Sequence, residues 1–255
     1  MSAVEADVME KSEEVEKSEM GIGIAHGLSD TFPEWVESAC GRVCEGLQRG
    51  GTVAHLRAAL GDLEELQEIR AAGLSVDAPD QDGVRPLHLA AEFGHAACVR
   101  FLLEAGADAL KADSDRWTPL HGAAAGTVEC VELLLSHGAR VNERDGRGRT
   151  PLGIAVGYYR LGVVERLLQA GADPNVQDRE EGRVPLHFAA REGEQEMVEL
   201  LLRHGAHVGV CDKEGKSPRD EAAGMRNWKM VALLGKAAEE DEAARVVARA
   251  PGCAA

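Results

Sequence analysis

His88, His121 and His187 are the side chains best suited to chemistry, since an imidazole can ligate a metal or move a proton near neutral pH. All three follow a Pro-Leu pair, and they recur 33 or twice 33 residues apart. A catalytic group has to occur only once, whereas a residue repeated with its flanks does the same structural work in each copy. Each of these histidines is therefore expected to bond the backbone of an adjacent hairpin. His137 and His204 stand directly before a glycine, where a charged imidazole would complement a helix C-terminus. Cys40 and Cys44 are one helical turn apart, but no second Cys or His pair lies at zinc-finger spacing, which favours ordinary helix packing. Cys98 and Cys130 occupy the same place in successive copies, each just before a core valine. The glycines are spread along the chain, not clustered before a helix, so no phosphate-cradling loop is present. There is no Gly-x-Ser-x-Gly elbow, and no serine has a His/Asp partner outside the recurrent histidines. The expectation is a non-enzymatic chain with no cofactor and no metal.

The elements that carry these residues repeat. Arg85-Pro86-Leu87-His88, Thr118-Pro119-Leu120-His121, Thr150-Pro151-Leu152-Gly153, Val184-Pro185-Leu186-His187 and Ser217-Pro218-Arg219-Asp220 place prolines 33, 32, 34 and 33 residues apart. A constant interval of this size marks stacked supersecondary units. Each unit opens on a turn such as Asp80-Gln81-Asp82-Gly83. A Ser or Thr then serves as N-cap at three of the boxes, with proline at the first helical position. Leu87, Ala90 and Ala91 typify the apolar face of a short first helix. Val99, Leu102 and Leu103, with their counterparts Val131, Val164 and Val198 onwards, typify the second. A glycine at 73, 106, 138, 171 or 205 ends that second helix in the left-handed region. Two such helices cannot cover their apolar faces alone and must stack on neighbours.

With the Thr-Pro-Leu-His box, the Gly-Ala-Asp stretches at 106–108 and 171–173 and the 33-residue period in view, the chain resembles an ankyrin-repeat protein. The resemblance covers 51–240, with units near 51–82, 83–115, 116–147, 148–181, 182–214 and 215–240. It implies an all-α fold: a solenoid of paired antiparallel helices joined by β-hairpin-like loops. Flanking regions are read as an acidic disordered tail over 1–30, a capping helix over 31–50 and a helical extension and tail over 241–255. Thr31, Glu34 and Pro33 supply the start of the capping helix, and Trp35, Ala39, Val43 and Leu47 its apolar face.

Four places break the pattern. The loop at Gly126 is one residue short, and the hairpin at Arg179-Glu180-Glu181 is one residue long. Arg116 takes the place of the turn glycine, and Tyr159 takes the place of Gly94 and Gly193. Broken local rules gather at functional or strained sites, and also at sites of weak constraint.

Composition narrows the partner. Of 255 residues 28 are basic and 44 acidic, a formal charge of −16, which disfavours binding to nucleic acid. No apolar run is long enough to span a membrane and no signal peptide opens the chain, so an intracellular protein, cytoplasmic or nuclear, is expected. Its irregular cysteine spacing agrees with a reducing compartment. The resemblance implies a protein partner in the concave groove formed by hairpin tips and first helices. At the matching positions Phe93, Trp117 and Tyr158 place aromatics on expected open ground, beside Arg147, Arg149, Arg183, Arg191 and Lys216. Aromatic plus arginine is the composition of interface hot spots. The leading reading is an adaptor or scaffold, monomeric or within a larger complex, gripping apolar and acidic side chains of its partner. A chaperone or inhibitor of a basic protein, using the acidic tail as an electrostatic arm, is the alternative. A regulatory subunit or substrate receptor of an enzyme complex comes last.

Overall fold

The computed structural model describes residues 51–249, with side chains through residue 239. The acidic tail, the capping helix with Cys40 and Cys44, and the last six residues lie outside the described residues.

Among the described residues there are twelve helices and no strands. The first helices of successive units are α1 (Val53–Leu60), α3 (Pro86–Glu92), α5 (Pro119–Ala125), α7 (Pro151–Gly157), α9 (Pro185–Glu192) and α11 (Pro218–Gly224). The second helices are α2 (Leu63–Ala71), α4 (Ala96–Glu104), α6 (Val128–Ser136), α8 (Leu161–Gln169), α10 (Gln195–Arg203) and α12 (Trp228–Arg249). Each first helix packs on the next first helix and on the second helix of its own unit, and α2, α4, α6 and α8 pack in sequence as an outer layer.

The inner layer is built from small residues. Ala90, Ala91, Ala123, Ala124, Ala155, Ala189 and Ala190 are all fully buried, which lets the short helices approach closely. Leu87, Leu120, Leu152 and Leu186, each one residue after the proline, fill the space between units, and Leu102, Leu134, Leu167 and Leu201 do so from the outer layer. Burying one such leucine is worth about 1.5–3 kcal/mol, so the units are held by many equivalent contacts and not by a single centre.

Helix starts are capped in two ways. Thr150 Oγ accepts the Gly153 N–H at 3.3 Å, and Ser217 Oγ accepts that of Asp220 at 3.3 Å while Asp220 Oδ2 accepts the Ser217 N–H at 2.8 Å. Where a histidine is present its Nδ1 accepts the N-cap N–H instead, from Thr52 at 3.0 Å and from Arg85, Thr118 and Val184 at 3.1 Å. Asp220, which stands where other boxes have histidine, thus accepts the N-cap N–H as the histidine does.

The irregularities are placed where the spacing put them. Only Gly126 and Thr127 separate α5 from α6, against Phe93, Gly94 and His95 between α3 and α4. The short loop presses on its neighbour, since a Cβ on Gly126 would lie 2.9 Å from the Ala91 carbonyl oxygen. Arg116 and Tyr159 take φ of 62° and 56°. Arg226, at 58°, is a third such residue and occupies the same place in its unit as Tyr159.

Candidate interaction surface

Each hairpin is organised by an aspartate that recurs with the repeat: Asp80, Asp113, Asp145, Asp178 and Asp212. Its N–H closes the turn on a carbonyl four residues on, as from Asp113 to Trp117 at 2.9 Å and from Asp145 to Arg149 at 3.0 Å. In the lengthened hairpin the bond runs five residues, from Asp178 to Arg183 at 2.9 Å. The carboxylate then collects N–H groups from within the turn, as Asp113 Oδ1 does from Asp115 at 2.9 Å and Trp117 at 2.8 Å. Hydrogen bonding to the charged form holds the Asp212 carboxyl below the usual carboxylate range. Neighbouring hairpins are joined by single backbone bonds: Ser114 to Asp82 at 2.7 Å, Gly146 to Asp115 at 2.6 Å, Arg179 to Arg147 at 2.7 Å and Lys213 to Glu181 at 2.8 Å.

The histidines fasten this row from below. With Nδ1 accepting an N–H, Nε2 carries the proton and donates to a carbonyl of the next unit: His55 to Val84 at 2.9 Å, His88 to Trp117 at 3.2 Å, His121 to Arg149 at 3.3 Å and His187 to Lys216 at 3.0 Å. Burial pushes His88 and His121 down to about 4, so both are neutral at physiological pH. Both ring nitrogens are occupied, leaving no lone pair for a metal. His137 and His204 turn Nδ1 to carbonyls of their own helix ends, Leu133 at 2.8 Å and Leu200 at 3.0 Å. Where Gly153 replaces the histidine, the next hairpin has no such tie, and this is the hairpin that carries the extra residue. There the Arg183 side chain is the fastening, reaching Glu181 at 2.5 Å, Glu221 at 3.1 Å and Asp212 at 3.6 Å, and lying 6.0 Å from the Phe188 ring.

The expected apolar anchors are not on open ground. Trp117 is buried at 7% exposure, because the chain folds it under Arg149, whose guanidinium lies 5.6 Å from the ring, and against His121 at 5.4 Å. Tyr158 and Phe93 cap the C-terminal ends of α7 and α3. Tyr158 is half-buried against the core, and Phe93 is half-buried and stacked on His95 at 6.4 Å. Nor are most cations unengaged: Arg149 is bonded to Asp145 at 2.8 Å, Lys216 to Glu214 at 2.8 Å and Arg147 to Glu180 at 3.6 Å. Arg147, Arg191 and Lys216 are exposed, and Arg149 and Arg183 are half-buried. The first helices offer open surface mainly late in the chain: all seven residues of α5 are buried, whereas Arg191, Glu192, Arg219 and Asp220 of α9 and α11 are exposed.

Large apolar side chains that do face solvent include Tyr159, Met225 and Trp228, at 47%, 58% and 66%. Reading outward from each proline missed Trp228 because it opens the second helix of its unit. Aligning the interhelix loops would have found it opposite Leu161 and Gln195.

A sequence model described as Ankyrin repeats (3 copies) matches residues 26–113, 54–145, 108–178 and 152–243. The chain is an ankyrin-repeat protein. Ankyrin repeats are protein–protein interaction modules. Similar proteins include tyrosine-protein kinase HTK16 of Hydra vulgaris, 35% identical over 119 residues, which are 46% of this chain and 16% of that protein. Human ankyrin repeat and SOCS box protein 16 is 36% identical over 151 residues, 59% of this chain and 33% of that protein. Neurogenic locus notch homolog protein 1 of Xenopus tropicalis is 40% identical over 114 residues, 44% of this chain and 4% of that protein. The match thus spans a third or less of these relatives, and the likeness lies in the ankyrin-repeat module. Among the described residues no helix of this ankyrin-repeat protein is long and apolar enough to cross a membrane.

Proposed function

We propose that this ankyrin-repeat protein is a non-enzymatic adaptor that holds a partner protein against the hairpin tips and the exposed first helices of its later units. The observation that supports this is the fastening of the hairpins, each bonded to its neighbour by backbone and most held by a histidine from the unit before. A row of backbone fixed in this way presents Arg147 and Lys216 with little backbone freedom left to lose on binding, and helix α9 presents Arg191 beside them. Arg147 and Lys216 exchange their own carboxylates, Glu180 and Glu214, for acidic groups of the partner. Arg149 and Arg183 shape the floor between them, and Trp117 supports that floor without touching the partner. The free thiols Cys98, Cys130 and Cys211 accord with work inside the cell.

The test compares proteins captured by the full chain, identified by mass spectrometry, with those captured by an Arg147→Glu/Lys216→Glu variant. Affinity for the captured partner is expected to fall at least ~tenfold in the variant with its melting temperature unchanged. Trp117→Ala is expected to lower stability by about 3 kcal/mol instead, through the cavity it leaves. Unaltered capture by the charge-reversed variant would remove the hairpin row from the site.

A further inference from the structure

A second surface lies at the other end of the first helices, where each turns into its second helix. A seven-residue helix places this edge about 10 Å from the hairpins. Five of the eight large apolar side chains exposed among the described residues gather here: Val128, Tyr159, Leu161, Met225 and Trp228. The loops that carry them touch in sequence. Arg160 Nε donates to the Ala125 carbonyl at 2.8 Å, and Val128 lies where a Cβ on Gly162 would meet it at 3.3 Å. Tyr159 lies beside Glu192, and Asn227 lies against Gly193.

The charges here differ from those of the hairpin row. Arg147, Arg149, Arg183 and Lys216 all have carboxylates of the same chain beside them. Arg226 and Lys229 are exposed, directly follow Met225 and Trp228 in the chain, and form no ion pair among the described residues. Arg226 is held in the left-handed region at φ 58°, where Gly94 and Gly193 stand in other units. A strained backbone persists there only if the surroundings or the function of the side chain maintain it.

We propose that Met225 and Trp228, each followed directly by a cation, Arg226 and Lys229 respectively, form with them a docking site for an acidic amphipathic segment of a partner protein. Two large apolar side chains receive the apolar face of such a segment, and two cations with no ion pair among the described residues receive its carboxylates. Charge selects a short acidic peptide over a nucleic acid or an anionic bilayer. The chain carries −16 overall, and Glu192 and Glu194 border the patch, so only a ligand small enough to lie on the cations escapes repulsion.

The full chain is titrated, by fluorescence anisotropy at low salt, into a fluorescein-labelled synthetic helix with Glu on one face and Leu on the other. The same helix with Lys for Glu, a single-stranded oligothymidine and vesicles of phosphatidylcholine with phosphatidylserine serve as competing probes. Saturable binding of the acidic helix is expected, weakened about tenfold by Trp228→Ala and by Arg226→Gly/Lys229→Glu, and by added salt. Arg226→Gly restores the residue found in sister units, so loss of binding in that variant is not loss of fold. Leu74→Ser, exposed on the first unit, is the control expected to bind as wild type. The proposal is overturned by absence of saturable binding, by equal binding in the Trp228 variant, or by preference for the basic helix, the oligothymidine or the vesicles.

Discussion

Arg116, Tyr159 and Arg226 show how much of a residue's position is dictated by its neighbours. All three have positive φ, and an L-residue there costs about 1–2 kcal/mol relative to the right-handed region. Arg116 is nevertheless kept in place, because its N–H bonds the Asp113 carbonyl at 3.0 Å and the aspartate collects the rest of the turn. Replacing it by glycine, as stands at 83 and 148, is expected to raise stability by about 1 kcal/mol, the relief of strain exceeding glycine's extra chain entropy. Chemical denaturation measures this directly, and a loss of stability would show that the Arg116 side chain makes contacts outweighing the strain. The unusual backbone at 116 and 159 was legible from repeat alignment; that at 226 was not among the departures read there and came from the structure. The burial of Trp117 was not, because the same position in other units carries valine, arginine or lysine. Only the neighbouring Arg149 and His121 make it a pocket.

At the scale of an element, every hairpin from 80 to 216 except that at 178–183 is tied to the histidine box of the preceding unit. His88 and His121 hold the carbonyls of Trp117 and Arg149 only while neutral, because a proton on Nδ1 would face the N-cap N–H it now accepts. Their folded values, about 4, lie below the ordinary 6.5. Between those limits the unfolded chain binds more protons than the folded one, so stability falls as pH drops from 6.5 towards 4. The loss amounts to about 3 kcal/mol for each imidazole. Asp212 and Asp220, whose values are lowered, act in a separate window, below the ordinary carboxylate value of 3.8. A His88→Gln/His121→Gln variant is expected to show a flatter dependence between pH 6.5 and 4 in denaturant titrations. An unchanged slope would assign the acid sensitivity elsewhere. The recurrence of these histidines after Pro-Leu was enough to read them as structural, since one job repeated leaves one trace per copy.

For the whole array, stability is a sum of units and of interfaces between neighbours. Leu134, fully buried in α6, belongs to an interior unit with neighbours on both sides. Leu134→Ala is expected to cost about 3 kcal/mol and to speed amide exchange in α4 to α8 more than in α1 and α2. Uniform acceleration across all units would mean that the array opens only as one body. The place of the apolar rows could be read in advance, because every unit meets the same kind of neighbour and shows the same pattern.

The chain alone determined the repeat, the helix ends, the histidine role and the two changes of loop length. Each depends on local backbone preference, or on contacts that recur at one interval. The accessibility of individual side chains was decided only by tertiary structure. Trp117 lies under an arginine of the next unit, Arg183 is surrounded by three carboxylates, and Trp228 stands open on the far edge. Accessibility depends on which side chains the two adjoining units happen to bring, and those differ from copy to copy while the backbone does not.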